Sequence, residues 1–309
     1  MASWPIFHPE SCYDYRIDRR ATIPRLSNER GIFTFRKCYN LKTMPKIKYT
    51  ERRTLQRAIA GFAGLLWAGL ALATLQDEIQ VYDDSINKPG QWGLELHFNA
   101  TPSGVSAQEY PGEVQNVHGY RGTPEISYGL TETLEAGLYL PVVHDAEGIT
   151  GFAGPRVRLK WIPRQAPETG GVFYGLNIEV SAVKPQYEQY QNAIEFRPIL
   201  GYRTPDWLFV TNPSMDYPLR AGYRQGGPEF SPSFKVSRNV TQGLAAGFEY
   251  YADLGSVNNP LPFADQAHTL FLVVDVDRKP WVFNLGIGRG LTQSSDRWTI
   301  KSIFEVPFD

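Results

Sequence analysis

Residues 91–100 read Gln-Trp-Gly-Leu-Glu-Leu-His-Phe-Asn-Ala, with Trp92, Leu94, Leu96, Phe98 and Ala100 alternating against Gly93, Glu95, His97 and Asn99. Successive side chains of a strand point to opposite faces, so a period of two with one apolar set marks a strand that is apolar on one side and polar on the other. The pattern recurs about twelve times along the chain, as in Leu134, Ala136, Leu138 and Leu140, in Val157, Leu159 and Trp161, in Tyr174, Leu176, Ile178 and Val180, and in Leu270, Leu272, Val274 and Val276. The last repeat holds Trp298, Ile300, Phe304, Val306 and Phe308. No amphipathic helical period follows residue 73, which argues for an all-β chain.

A soluble sandwich would alternate in the same way, so the connections decide between the two. Those at Thr131 to Thr133, Thr204 to Asp206, Asn239 to Gln242 and Asp277 to Pro280 are short. Those at Thr101 to Arg121, Val143 to Gly154, Lys184 to Gln191, Asn212 to Gly227, Asp253 to Ala267 and Arg289 to Asp296 are longer and rich in Gly, Pro, Asn and Ser. Short turns alternating with long loops are the plan of an outer-membrane barrel, with turns on one rim and loops on the other. The connection Pro163 to Gly171 is long for its place. With the first strand running outward, Trp92, Trp161, Tyr202, Trp207 and Trp281 all fall at periplasmic strand ends in phase with the apolar face, the placement of an aromatic girdle. The expectation is therefore an antiparallel up-and-down transmembrane β-barrel of about 12 strands over residues 91–309, in contact with outer-membrane lipid. A mean hydropathy of -0.33 fits, because only alternate residues of a barrel strand meet lipid.

Ahead of the barrel, Arg52-Arg53-Thr54-Leu55-Gln56-Arg57 precedes an apolar stretch from Ala58 to Leu72 that closes on Ala71-Leu72-Ala73. A basic region, a short apolar run and an A-x-A site are the three parts of a secretory signal. A start at Met44 makes residues 44–73 a signal peptide, residues 1–43 an over-extended gene start, and Thr74 the first residue of the exported chain. Residues 74–90 are then expected as a periplasmic N-terminal segment. Both cysteines, Cys12 and Cys38, lie upstream, so no disulfide framework is expected after export. Of the 31 basic and 32 acidic residues, 13 and 5 lie in residues 1–73, leaving 18 and 27, a net of -9. Nucleic-acid binding draws most of its affinity from basic patches and is not expected of so acidic a chain.

Three stretches carry a family resemblance: Gly151 to Pro163 (GFAGPRVRLKWIP), Pro228 to Gly255 (PEFSPSFKVSRNVTQGLAAGFEYYADLG) and His268 to Phe308, centred on Asn284-Leu285-Gly286-Ile287-Gly288-Arg289-Gly290-Leu291-Thr292. In these the chain resembles the outer-membrane barrels grouped as MetA-pathway-of-phenol-degradation or transporter-like proteins. The resemblance implies an outer-membrane barrel that passes small, aromatic or hydrophobic compounds, and it supplies no catalytic residues. A chain of this class would meet the barrel-assembly machinery through its C-terminal strand, which ends near Phe308; Pro307 and Asp309 depart from the usual aromatic ending.

The inward phase carries the candidate chemistry. Arg156, Arg158 and Lys160 form a basic ladder on one strand, joined on the lumen side by Arg197, Lys235, Lys301 and His97, with Glu95, Glu125, Glu179, Glu195, Glu249, Asp275 and Glu305 opposing them. Such a set either pairs internally and fills a narrow barrel or lines a charge-selective pore. Gly286-x-Gly288-x-Gly290 lacks the helix a dinucleotide site needs and reads as strand packing. His97, His118, His144 and His268 are too dispersed for a metal-spacing motif, and no serine-nucleophile motif stands beside them, so neither metal, cofactor nor catalytic residue is expected. A passive channel or transporter for an unknown small solute is the leading expectation. A plugged structural or binding barrel and an outer-membrane lipid-modifying enzyme are the alternatives.

Overall fold

The computed structural model describes residues 78–106, 110, 112–115, 117–188, 191–219 and 227–306. The expected gene-start segment, the signal peptide with its cleavage site, and Phe308 lie outside these residues. Sixteen strands follow in chain order: β1 (Trp92–Ser103), β2 (Tyr120–Thr131), β3 (Leu134–Tyr139), β4 (Val142–His144), β5 (Thr150–Phe152), β6 (Arg156–Arg164), β7 (Gly171–Ala182), β8 (Asn192–Arg203), β9 (Trp207–Pro218), β10 (Glu229–Thr241), β11 (Leu244–Asp253), β12 (Gly255–Ser256), β13 (Asn259–Pro260), β14 (Ala267–Arg278), β15 (Trp281–Gly290) and β16 (Trp298–Val306). Among the described residues, no helix is long and apolar enough to cross a membrane.

The long strands pair antiparallel in chain order from β2 round to β16, with β3 pairing β6 and β11 pairing β14, and β1 pairs both β2 and β16, which closes the ring. Closure satisfies the backbone groups that a sheet edge would leave bare in hydrocarbon. β4 continues β3 along β2 beyond Leu140 and Pro141, and β5 leads into β6, so these four strands make two staves and the barrel has twelve. Two of the long connections are thus shorter than the sequence suggests. Val143 to Gly154 holds the β4–β5 turn, and β9 extends through Pro218. The loop Asp253 to Ala267 carries a small hairpin, β12–β13.

Alternation sets the two faces as expected. Along β6, Val157, Leu159 and Trp161 are exposed while Arg158, Lys160 and Ile162 are buried. Leu96, Phe98, Val180, Phe196, Leu200, Phe234, Phe248, Leu272, Ile287, Ile300 and Phe304 extend the apolar outer surface. The buried set is dominated by polar and charged residues, the reverse of a soluble domain. A continuous apolar exterior around a polar, buried interior defines a transmembrane barrel. The five expected girdle residues, Trp92, Trp161, Tyr202, Trp207 and Trp281, are all exposed: Tyr202, Trp207 and Trp281 sit at strand ends beside short turns, Trp92 opens β1, and Trp161 lies near the end of β6.

Where the ladder is interrupted, the cause is local. Pairing between β8 and β9 skips from Phe196↔Met215 to Leu200↔Thr211, and Pro198 and Pro213, neither of which carries an N–H, lie in the gap. Elsewhere inward glycines make room for large neighbours. A Cβ on Gly201 would meet Cζ of Phe173 at 2.0 Å, and one on Gly288 would meet the Phe271 ring at 2.6 Å. Gly286-x-Gly288-x-Gly290 accordingly lies in β15 as close strand packing.

Because every stave is paired on both sides, unfolding should be cooperative and slow in detergent. The folded chain is expected to migrate differently on a gel before and after boiling. Identical migration, with loss of β structure in mild detergent, would count against the closed ring.

Candidate functional site

The residues ahead of β1 do not stay outside the barrel. Glu78 to Gln91 pass through the lumen, which corrects the expectation of a periplasmic segment for the part of residues 74–90 that is described. The segment has no hydrophobic period of its own, and side chains of the wall hold its backbone. Lys301 Nζ donates to the Ile79 carbonyl at 2.9 Å and Lys160 Nζ to the Ser85 carbonyl at 2.6 Å. Asn212 clamps Tyr82 at both backbone groups, accepting from its N–H at 2.7 Å and donating to its carbonyl at 3.0 Å. Glu135 accepts from the Asn87 N–H at 2.7 Å. At the turn rim, Ala166 N donates to Asp84 Oδ2 at 2.8 Å and Gln165 Nε2 to the Asp84 carbonyl at 3.1 Å, while Arg203 pairs with Asp83 and Asp84. The long turn after β6 thereby gains a purpose, since it seats the segment. The last step, Gly90 N to the Gly129 carbonyl at 2.8 Å, leads into β1.

Apolar contacts complete the fit. Val81 and Tyr82 pack against Ile162, Phe173, Ile199 and Val210, and Ile79 packs against Phe271 and Val273. All six wall residues point inward, in the phase that is polar elsewhere on their strands. The Tyr82 ring lies in a cage of cations, with Arg197 4.7 Å, Lys160 4.9 Å and Arg158 5.7 Å from its centroid, distances at which the ring's negative face attracts charge. Its hydroxyl meets the hydroxyl of Tyr139.

Around this segment the expected lumen residues form ion pairs. Arg158 bridges Glu125 and Glu135, the latter at 2.7 Å. Lys235 reaches Asp275 at 2.8 Å and Glu249 at 3.1 Å, and Lys301 pairs with the other oxygen of Glu249. Arg156 reaches Glu188 at 2.6 Å and Glu179 at 3.3 Å; Arg197 grips Glu195 at 2.6 Å and lies 3.6 Å from Glu78. Buried charges in such number need this mutual pairing, since each unpaired one costs several kcal/mol. Two of the expected residues stand apart. Glu305 is exposed at the turn end of β16, and Glu95, less buried than its neighbours, lies 3.6 Å from the His97 imidazole. The basic ladder is thus not a free cationic strip: two rungs are bound to carboxylates and the third to backbone.

Sequence reasoning missed Glu135, Tyr139, Asn177, Arg203 and Asn212, all of which face the lumen. The one available signal was Phe173 and Phe271, large rings on the inward phase, which need an apolar partner inside. The remaining histidines are scattered: His144 Nδ1 bonds Thr150 Oγ1 at 2.7 Å, and His268 bonds Tyr250 and Gln266.

The ring, its apolar exterior and its polar filled lumen define the fold of a bacterial outer-membrane β-barrel. It is similar to that of an outer membrane channel from Pseudomonas putida F1, at 10% sequence identity and a TM-score of 0.55, covering 75% of this chain and 100% of that one. A KdgM porin aligns at 9% identity over 70% of this chain and 99% of its own, with a TM-score of 0.44. No family model matches the chain, and no curated protein matches it.

Proposed function

We propose that the protein is a passive outer-membrane channel for small solutes, with aromatic compounds as its preferred class and with the segment from Glu78 to Gln91 closing the path at rest. The observation that carries the reading is the setting of Tyr82. A phenol ring sits inside the lumen between an apolar wall and three cations, with no covalent bond to the wall that surrounds it. A solute of the same chemistry, a small aromatic acid or phenol, finds the same partners once the segment moves aside. The resemblance to barrels of the phenol-degradation group points the same way. A barrel permanently plugged for a structural or binding role is favoured by the backbone clamps at Ile79, Tyr82 and Ser85, and it is the second reading.

Planar-bilayer recording of the refolded chain separates them. Expected are small anion-preferring currents that 4-hydroxybenzoate interrupts reversibly, since it competes for the Tyr82 setting. Replacement of Arg156, Arg158 and Lys160 by Gln should weaken the anion preference, because fixed charges along a narrow path set the local ion concentration. Silent membranes, together with a triple variant altered in stability alone, would leave the plugged barrel standing.

A further inference from the structure

We propose that Glu95, His97 and Glu125 form a divalent-cation site on the lumen wall, beside the Tyr82 setting, which it meets through Arg158 and Tyr139, and that its donor set suits zinc. The register of β1 and β2 places Glu95 directly opposite Glu125, and the register of β1 and β16 places Glu305 opposite Glu95 on its other side. Three carboxylates therefore share one row of the sheet, where like charges in facing positions repel. Arg158 answers only part of this: it takes Glu125 Oε1 and is shared with Glu135. Glu125 Oε2 is left facing His97, and Glu95 turns to the same imidazole.

His97 and Glu125 are within hydrogen-bond distance, and the same three donor atoms are spaced to hold an ion. One donor atom from each of the three residues lies within 4.8 Å of the others. His97 Nε2 stands 3.3 Å from Glu125 Oε2 and 3.6 Å from Glu95 Oε2. Ligands about 2.0–2.1 Å from a tetrahedral zinc are separated by roughly 3.3–3.4 Å, so two edges of the tetrahedron are already in place. The His97 ring is buried and turns its Nε2 toward both carboxylates, the edge at which an imidazole can ligate. An imidazole in the set favours zinc over magnesium or calcium, which prefer oxygen alone, and two carboxylates balance the ion's charge. Glu95 is the open side, its side chain 30% exposed against 1% for His97 and 3% for Glu125, so the ion enters there and water takes the remaining position. Counting along the sequence could not find this trio, because the loop between β1 and β2 hides which residues face each other.

The test uses the folded full-length barrel in detergent, stripped with a chelator and titrated with zinc alone. One ion per barrel is expected at this site, with X-ray absorption showing one imidazole nitrogen among oxygen ligands. Glu95→Gln keeps the side chain's size and should weaken binding by at least about tenfold, the scale on which even outer partners of a metal site act. Glu132→Gln, on an exposed turn, should change nothing, and gel migration before and after boiling reports that each variant is folded. The proposal is overturned by a folded barrel that retains no zinc, by Glu95→Gln binding as tightly as the unaltered chain, or by a zinc spectrum without imidazole.

Discussion

Removal of residues 78–88 should convert small or absent currents into conductance several-fold larger, the biggest functional change any single alteration of this chain is expected to make. The segment crosses a lumen whose wall side chains reach it from β6, β9 and β16. Its loss also leaves Lys160 without the Ser85 carbonyl and Asn212 without Tyr82, at about 1–3 kcal/mol for each group that water fails to satisfy. Those groups become wet in an open pore, so the ring should survive while the temperature at which it loses its fast-migrating form drops. Tyr82→Ala is the finer probe. It keeps every backbone clamp and removes the ring from between Arg197 and Lys160, so current should rise modestly and 4-hydroxybenzoate should interrupt it more strongly. Unchanged current after the deletion, in a barrel shown to be folded, rules out the segment as the closure.

Why the lumen position of residues 78–91 escaped the sequence is a matter of period and distance. Alternation is written into every strand and gives the phase of each face directly, which is why Arg158 and Lys160 come out buried and Val157, Leu159 and Trp161 exposed. Turn chemistry likewise marks the short rim. The segment from Glu78 to Gln91, by contrast, has no repeat, and its place is fixed by partners far along the chain, such as Asn212 and Lys301, that meet only when the ring closes. The same holds for Glu95 and Glu125, whose pairing depends on register across a long loop. The clue that was present was chemical: Phe173 and Phe271 break the polar phase of β7 and β14, and an aromatic ring facing a water-filled pore has no physical reason to be there. An inward aromatic implies an apolar guest, and here the chain supplies its own in Val81, Tyr82 and Ile79.

Substitution at neighbouring positions of β6 should have opposite consequences, and the contrast tests the assignment of faces on which the channel reading depends. Leu159 is exposed on the outer surface between Val157 and Trp161, and its cross-strand partners Ala136 and Ile178 share that face. Leu159→Arg places a charge against lipid, at about 2–4 kcal/mol near the bilayer midplane and less near an interface. The yield of heat-modifiable barrel assembled into liposomes should fall accordingly. Arg158→Leu leaves the outer surface untouched and should insert normally. It strips Glu125 and Glu135 of their shared cation, and breaking a buried pair from one side costs about 3–5 kcal/mol. Denaturant stability should therefore drop while assembly into lipid persists, and restoring a cation with Arg158→Lys should recover part of the loss, since an ammonium reaches a carboxylate but lacks the fork that bridges two. If instead Leu159→Arg assembles freely and Arg158→Leu is excluded from lipid, the inner and outer faces are reversed, and the lumen network, the Tyr82 setting and the cation site lose their common ground.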